Sequence, residues 1–243
     1  MARAFILAFS STVLALSACK TGGAAVPTSV TQQMAAIPIS DRGTFTGSWA
    51  DESFTMGPYR VGKVDRQATG STGWKVEAGW AGAGATTWTG GYSYAFETPG
   101  GPVAGECRTQ AGGDDTPLAR EAPTGQIACR CSGSGLETEA MVGGPKGTWQ
   151  GQVKLRGFPL AINSLNQYSN GLTSSRPLGF EVRGQVPVGA VETDRPGRVW
   201  LSSTLDAAGH AELACLFAGM LLFDSPRDHT MRGSRRKKSL LDD

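Results

Sequence analysis

Cys107, Cys129, Cys131 and Cys215, together with His210, are the side chains whose types and spacing could do chemistry. Cys129 and Cys131 stand at i, i+2, so on a strand both thiols point to one face and would strain to bond each other. Four cysteines allow three pairings. The reading favours Cys107 with Cys129, bridging neighbouring strands across a long loop, and Cys131 with Cys215, the other pairings staying open. A bridge of the first kind stabilises by roughly 3 kcal/mol in the chain-entropy picture. A zinc site built from these cysteines and His210 is disfavoured by the C-x-C spacing, where a zinc ribbon uses C-x-x-C. No metal and no cofactor is expected.

Catalytic arrangements are sparse. His210 and His229 are the two histidines, and neither neighbours a serine or cysteine with a carboxylate behind it. Glu137 and Glu139 share a strand face, whereas an acid–base carboxylate pair converges from different strands across a cleft. Asp114 and Asp115 follow two glycines but lack the ordered ligand spacing of a calcium loop. No nucleophile-elbow, zincin, phosphate-loop or dinucleotide fingerprint occurs. The expectation is a protein with no catalytic residues. Trp80-Ala81-Gly82, Trp88-Thr89-Gly90 and Trp149-Gln150-Gly151 repeat a W-x-G pattern, with Trp49, Trp74 and Trp200 completing the six tryptophans. Buried anchoring in a sheet is the favoured role for them, and a row stacking on sugar rings is the alternative.

The N-terminus carries a different kind of chemistry. One charge at Arg3 precedes an apolar run, Phe5 to Leu16, interrupted by Ser10, Ser11 and Thr12. That is the layout of a secretory signal, too short to span a bilayer, which takes about 20 apolar residues. Leu16-Ser17-Ala18-Cys19 resembles the bacterial lipobox at all four positions. The resemblance implies a signal peptide over residues 1–18, cleavage between Ala18 and Cys19, and a mature chain whose Cys19 carries diacylglycerol and N-acyl (palmitate-type) chains. The membrane is then a partner through the lipid on Cys19. Lys20 at the next position favours the outer membrane, facing the periplasm, an oxidising compartment that suits the cysteine pairing.

These groups need a scaffold, and the composition describes one. With 34 glycines and an aromatic content of 8%, the chain suits many short strands with tight turns. Residues 19–225 hold 16 Lys and Arg against 18 Asp and Glu, which disfavours nucleic-acid binding by the body. Lys20 to Arg42 is small, polar and patternless. It reads as a flexible tether, part of a lipidated N-terminal segment over 19–43, with a reach of roughly 25 Å. From Thr44 the pattern alternates: Tyr59, Val61, Lys63 and Asp65 on one face, then Trp74, Val76 and Ala78, then Tyr92, Tyr94 and Phe96. Further strands are expected at 103–110, 126–131, 137–142, 148–155, 178–186, 188–193 and 198–201. Ala111 to Gly125, holding Asp114, Asp115, Arg120 and Glu121, and Pro159 to Arg176, holding Asn163, Asn166, Tyr168 and Asn170, read as long loops.

Ala211 to Phe223 contains one charge, Glu212, and is otherwise apolar or glycine. A helix apolar on every side belongs inside protein, and thirteen residues at 1.5 Å each reach about 20 Å, short of a bilayer core. The helix is expected over about 207–223, with Asp206 or Ser203 as its cap and Gly219 admitting a strand. The fold class is therefore mainly β: a single antiparallel barrel or sandwich of about 10–12 short strands over residues 44–224, with one apolar C-terminal helix buried in or against it. In order of elements from Thr44 to Phe223 this is similar to the tubby-like barrels, without a shared motif and with an added extension at 224–243. That resemblance implies association with lipid headgroups. Residues 225–243, with Arg227, Arg232, Arg235, Arg236, Lys237 and Lys238, read as a basic disordered tail.

Together these features point to a non-catalytic envelope lipoprotein with a structural, assembly or interaction role at the membrane surface and a possible envelope protein or glycan partner. A glycan- or lipid-binding β module is the alternative, and an envelope hydrolase the least favoured.

Overall fold

A computed structural model describes residues 23–42, 52–67, 70–78, 81–114, 124–145 and 148–223. The signal segment with Ala18 and Cys19, the residues Trp49, Trp80, Asp115, Arg120 and Glu121, and the basic tail with His229 lie outside the described residues. The first elements are α1 (Thr28–Thr31), β1 (Ala36–Ser40), β2 (Phe54–Met56), β3 (Tyr59–Arg66), β4 (Gly70–Ala78), β5 (Ala81–Thr98) and β6 (Gly101–Asp114). They are followed by β7 (Thr124–Gly133), β8 (Leu136–Gly144), β9 (Gln150–Leu155), β10 (Phe158–Leu165), β11 (Gly179–Arg183), β12 (Pro187–Glu192), β13 (Arg198–Leu201) and α2 (Ala207–Leu222).

Every strand pairing is antiparallel, and the order runs β3-β2-β1-β13-β12 and down through consecutive strands to β5, which returns to β3 through Arg60↔Glu97 to Arg66↔Tyr92. Twelve strands thus close into a barrel. β4 stays outside the ring, paired along the first half of β5 from Ala78↔Ala81 to Gly70↔Thr89. The alternation read from the sequence is the reason: Tyr92, Tyr94, Phe96, Val103, Cys107, Ile127, Val142 and Val153 all turn inward and are buried, while their neighbours face out.

What they turn towards is α2. Gly209 and every residue from Ala211 to Leu222 is buried, and the helix touches β5 to β9 on one side and β12 and β13 on the other. A helix with no polar stripe has no face to offer water, so the sheet encloses it on all sides. Its N-terminus is capped by Asp206, whose carboxylate accepts from the Gly209 amide at 2.7 Å. Its one charge, Glu212, accepts from the Arg156 amide at 2.8 Å and faces the Arg156 guanidinium at 3.7 Å.

Two disulfides tie the interior. Cys107–Cys129 joins directly opposed positions of β6 and β7, and Cys131–Cys215 joins β7 to the helix. The i, i+2 placement of Cys129 and Cys131 aims both sulfurs inward, one at a neighbouring strand and one at α2. Gly219 lets the helix pass over this cluster: a Cβ there would stand 2.6 Å from Cys107 Sγ, 2.9 Å from Tyr94 Oη and 3.0 Å from Cys129 Sγ. Tyr94 Oη donates to the Cys215 carbonyl at 2.8 Å and Tyr92 Oη to the Gly219 carbonyl at 2.6 Å, fastening the helix to the wall. Burial raises the Tyr94 phenol well above its ordinary range, so the hydroxyl remains a donor.

Two expectations need correction. The segment read as a tether, 20–42, contains α1 and a barrel strand. Val30 and Met34 pack on Ala190 and Trp200 of the outer wall, and Ile37 pairs with Val199 of β13. Its apolar residues are too widely spaced to show a period, and Pro38 hides the strand because it sits in a pairing register with Arg198. The loop read from Pro159 is a strand as far as Leu165, where Leu160 and Ile162 alternate with residues on the outer surface but Pro159 and Asn163 disguise the pattern.

In an exposed helix, glycine to alanine stabilises by about 1 kcal/mol. At position 219 the contacts with two sulfurs and a phenol reverse the sign: Gly219→Ala should lower stability in urea by about 1–3 kcal/mol, the usual range for overpacking. A stabilised variant would place α2 outside the enclosure described.

Candidate functional site

With its interior filled by α2, the barrel offers its rims and outer wall for contact. The rim at the carboxyl end of the helix is the more heavily built. Arg42, just past β1, donates to the Leu221 carbonyl, to the Thr193 carbonyl at 3.0 Å and to the Pro196 carbonyl at 3.2 Å. Arg66, at the end of β3, donates to the Leu222 carbonyl at 2.9 Å, pairs with Glu52 at 2.8 Å and lies over the Tyr92 ring. The last carbonyls of a helix have no internal donors and carry the negative end of its dipole, so two guanidiniums answer both needs. Burial, with the repulsion of Arg195, pushes the Arg42 pKa down to about 10, against the opposing pull of Asp194 and Glu52. The group keeps its charge at neutral pH.

The N-terminal segment begins on the same rim. The Ala24 amide donates to Glu192 at 2.8 Å, the Ser169 amide to the Gly23 carbonyl at 2.9 Å and the Ala25 amide to the Gln167 carbonyl at 2.7 Å. Glu192, 5% exposed, also accepts from Arg198 at 2.7 Å, and Arg198 lies over the Trp200 ring. The turn between β12 and β13 links this anchor to the helix end, because a Cβ on Gly197 would stand 3.1 Å from Leu221 and 3.0 Å from Arg42. Beside it, residues 166–178 form a tight loop: the Tyr168 amide donates to the Leu172 carbonyl at 2.8 Å and the Leu172 amide to Asn170 Oδ1 at 3.1 Å. Leu172 is 65% exposed at its tip.

A second feature lies on the outer wall over β6 to β9, an open depression of about 730 Å³. Gln110 faces Gln126, Gln126 faces Gly143 and Gly143 faces Gln150 across successive strands, while Met141 faces Gln152 in the next row. The result is a band of primary amides on a glycine floor beside a methionine that is 57% exposed. Amides both donate and accept, which matches hydroxyl and amide groups on a ligand.

The residues singled out in the sequence fall into distinct places. All four cysteines gather inside the barrel as disulfides, and Tyr94 Oη stands 3.7 Å from Cys131 Sγ. His210 Nε2 meets the Ser202 carbonyl at 2.7 Å. Glu137 and Glu139 face outward and are held by Arg130 at 2.6 Å and Lys154 at 4.0 Å. Trp149 and Trp200 are buried, Trp149 packing edge-on against Phe223 with ring centroids 5.5 Å apart; Trp74 and Trp88 lie in β4 and β5. Asp114 ends β6. Asn163 is in β10 and pairs with Gln150, while Asn166, Tyr168 and Asn170 belong to the rim loop. Among the described residues, no group of three His, Cys, Asp or Glu side chains could hold a metal ion. No helix there is long and apolar enough to cross a membrane.

Sequence reasoning missed Arg42, Arg66 and Glu192, each an isolated charge whose partner is remote in the chain. It also passed over the glutamines, although Gln150 and Gln152 at strand spacing were a visible signal. No family model, curated protein or solved structure matches this chain.

Proposed function

We propose that this chain is a lipid-anchored bacterial envelope protein, exported and modified at Cys19, whose barrel serves as a non-catalytic interaction domain at the membrane surface. The observation that carries the reading is cysteine arithmetic. Of five cysteines, four pair with one another inside the barrel, and the fifth is the Cys19 that ends the lipobox-like Leu16-Ser17-Ala18-Cys19. Two interior disulfides suit an oxidising compartment. Glu137 and Glu139 face Arg130 and Lys154, Glu212 faces Arg156, and His210 Nε2 meets the Ser202 carbonyl, structural pairings that support a non-catalytic reading of these four groups. Lys20 after the modified position favours outer-membrane residence, facing the periplasm.

Intact mass of the protein extracted from membranes tests this. The expected species starts at Cys19, carries acyl chains, and yields four alkylatable thiols only after reduction. A Cys19→Ala variant should remain uncleaved. An unmodified Cys19 thiol in the wild type would end the lipoprotein reading.

The band of amides on the wall favours a second reading, binding of an envelope glycan. Gln126→Leu with Gln150→Leu should then weaken retention on a peptidoglycan column by about tenfold, the loss expected when buried polar contacts worth ~1.4 kcal/mol disappear. Unchanged retention would leave that wall without a glycan role.

A further inference from the structure

We infer that the rim shared by Gly23, the carboxyl end of α2 and the 166–178 loop rests against the surface of a phospholipid membrane bearing anionic headgroups, with Leu172 entering the lipid interface. The inference rests on the lipidation of Cys19 proposed above, and three features of the chain carry it further.

The first is covalent reach. Gly23 is fixed to the rim by the Ser169 amide, and the next residue is fixed by Glu192. Three residues, Lys20 to Gly22, lie between Cys19 and Gly23, and each of the four steps extends the chain by at most ~3.6 Å, so the acylated cysteine lies within about 14 Å of the rim. A tether of more than twenty free residues would leave the barrel's orientation open; one of three does not.

The second is that the reach separates two apolar tips. Phe158, 72% exposed, and Leu172 lie at opposite ends of the barrel, because β10 runs from Phe158 to Leu165 and then enters the rim loop. Seven steps of ~3.3 Å span about 23 Å along the strand, or about 18 Å along the barrel axis at a tilt near 40°. That exceeds the reach, so the Phe158 end stays in water while the Leu172 end meets the headgroups. Leu172 is presented by a loop already ordered by internal hydrogen bonds, among them the Gly171 amide on the Tyr168 carbonyl at 2.9 Å and the Ser174 amide on the Asn166 carbonyl at 2.7 Å, so contact costs little further ordering.

The third is charge. Residues 165–180 contain no Asp or Glu and one Arg, Arg176, which pairs with Asp194 of the neighbouring turn at 3.5 Å, so the loop itself brings no acidic group to an anionic surface. The chain leaves α2 at Phe223 on this rim, and residues 224–243 hold six Lys and Arg against four Asp, a net basic segment. The lipid and Leu172 therefore act from one end of the barrel, and the net basic segment joins the chain at that end.

Mature lipidated protein contains no free thiol under this account, so Leu172→Cys and Phe158→Cys each introduce a single site for an environment-sensitive NBD label. In vesicles of phosphatidylethanolamine and phosphatidylglycerol, the label at 172 should shift to the blue, brighten severalfold and be quenched by doxyl-labelled lipid, while the label at 158 behaves as in buffer. Circular dichroism checks that both variants fold. If the mass of the same preparation shows acylation at Cys19 yet the 172 label stays aqueous, or both labels respond alike, the membrane-facing rim is refuted and the lipoprotein reading survives. A mass without acyl chains refutes both.

Discussion

A helix with no hydrophilic side has one stable place in a folded domain, its interior, and the rest of this structure follows from providing it. Alanine, leucine, cysteine, phenylalanine and methionine surround α2, and Glu212 is its only charge. A single sheet face would cover half of such a helix. Closing twelve strands around it covers the whole, and β4, paired only with β5, is left outside the ring. The interior is therefore occupied by the protein's own chain, and any ligand or partner must be met on the outside.

Enclosing a helix leaves its two polar ends to be satisfied. Asp206 accepts from the first turn, and Arg42 and Arg66 reach in from the ends of β1 and β3 to the last carbonyls. The arginines do more than cap. Arg42 also binds the turn between β12 and β13, and that turn abuts the Glu192 site where the N-terminal segment is held. Gly23 and Phe223, the first and last described residues, thus lie on one rim, a consequence of how the helix terminus is paired. The opposite rim carries the Asp206 cap and the Glu212–Arg156 pair, so the two ends of the barrel differ in chemistry as well as in position.

Much of this was legible from residue order. A thirteen-residue segment with one charge, too short for a bilayer, announced a buried helix, and period-two segments such as Tyr92-Ser93-Tyr94-Ala95-Phe96 announced a half-buried wall. The spacing of Cys129 and Cys131 showed that they would not bond each other. What stayed hidden were interactions with no local signature. Ile37 and Ile39 form a strand only because β13, far along the chain, pairs with the first and β2 with the second. Pro159 and Asn163 tolerate strand geometry on the outer surface of β10, where propensity argued for a loop. Arg42, Arg66 and Glu192 look like ordinary surface charges until the closed barrel brings them to the helix end and the Ala24 amide. Local pattern fixes which residues face inward; closure decides which distant charges meet, and closure is not written in any one segment.

The central claim is that α2 is the enclosed core around which the barrel forms, and amide hydrogen exchange tests it most directly. Peptides covering Leu213–Leu222 should exchange only on global unfolding, as slowly as the slowest wall strands, with the disulfides intact. Exchange of the helix within minutes while β6 to β9 remain protected would show a helix resting on the outside of the barrel, and would contradict the account at its foundation.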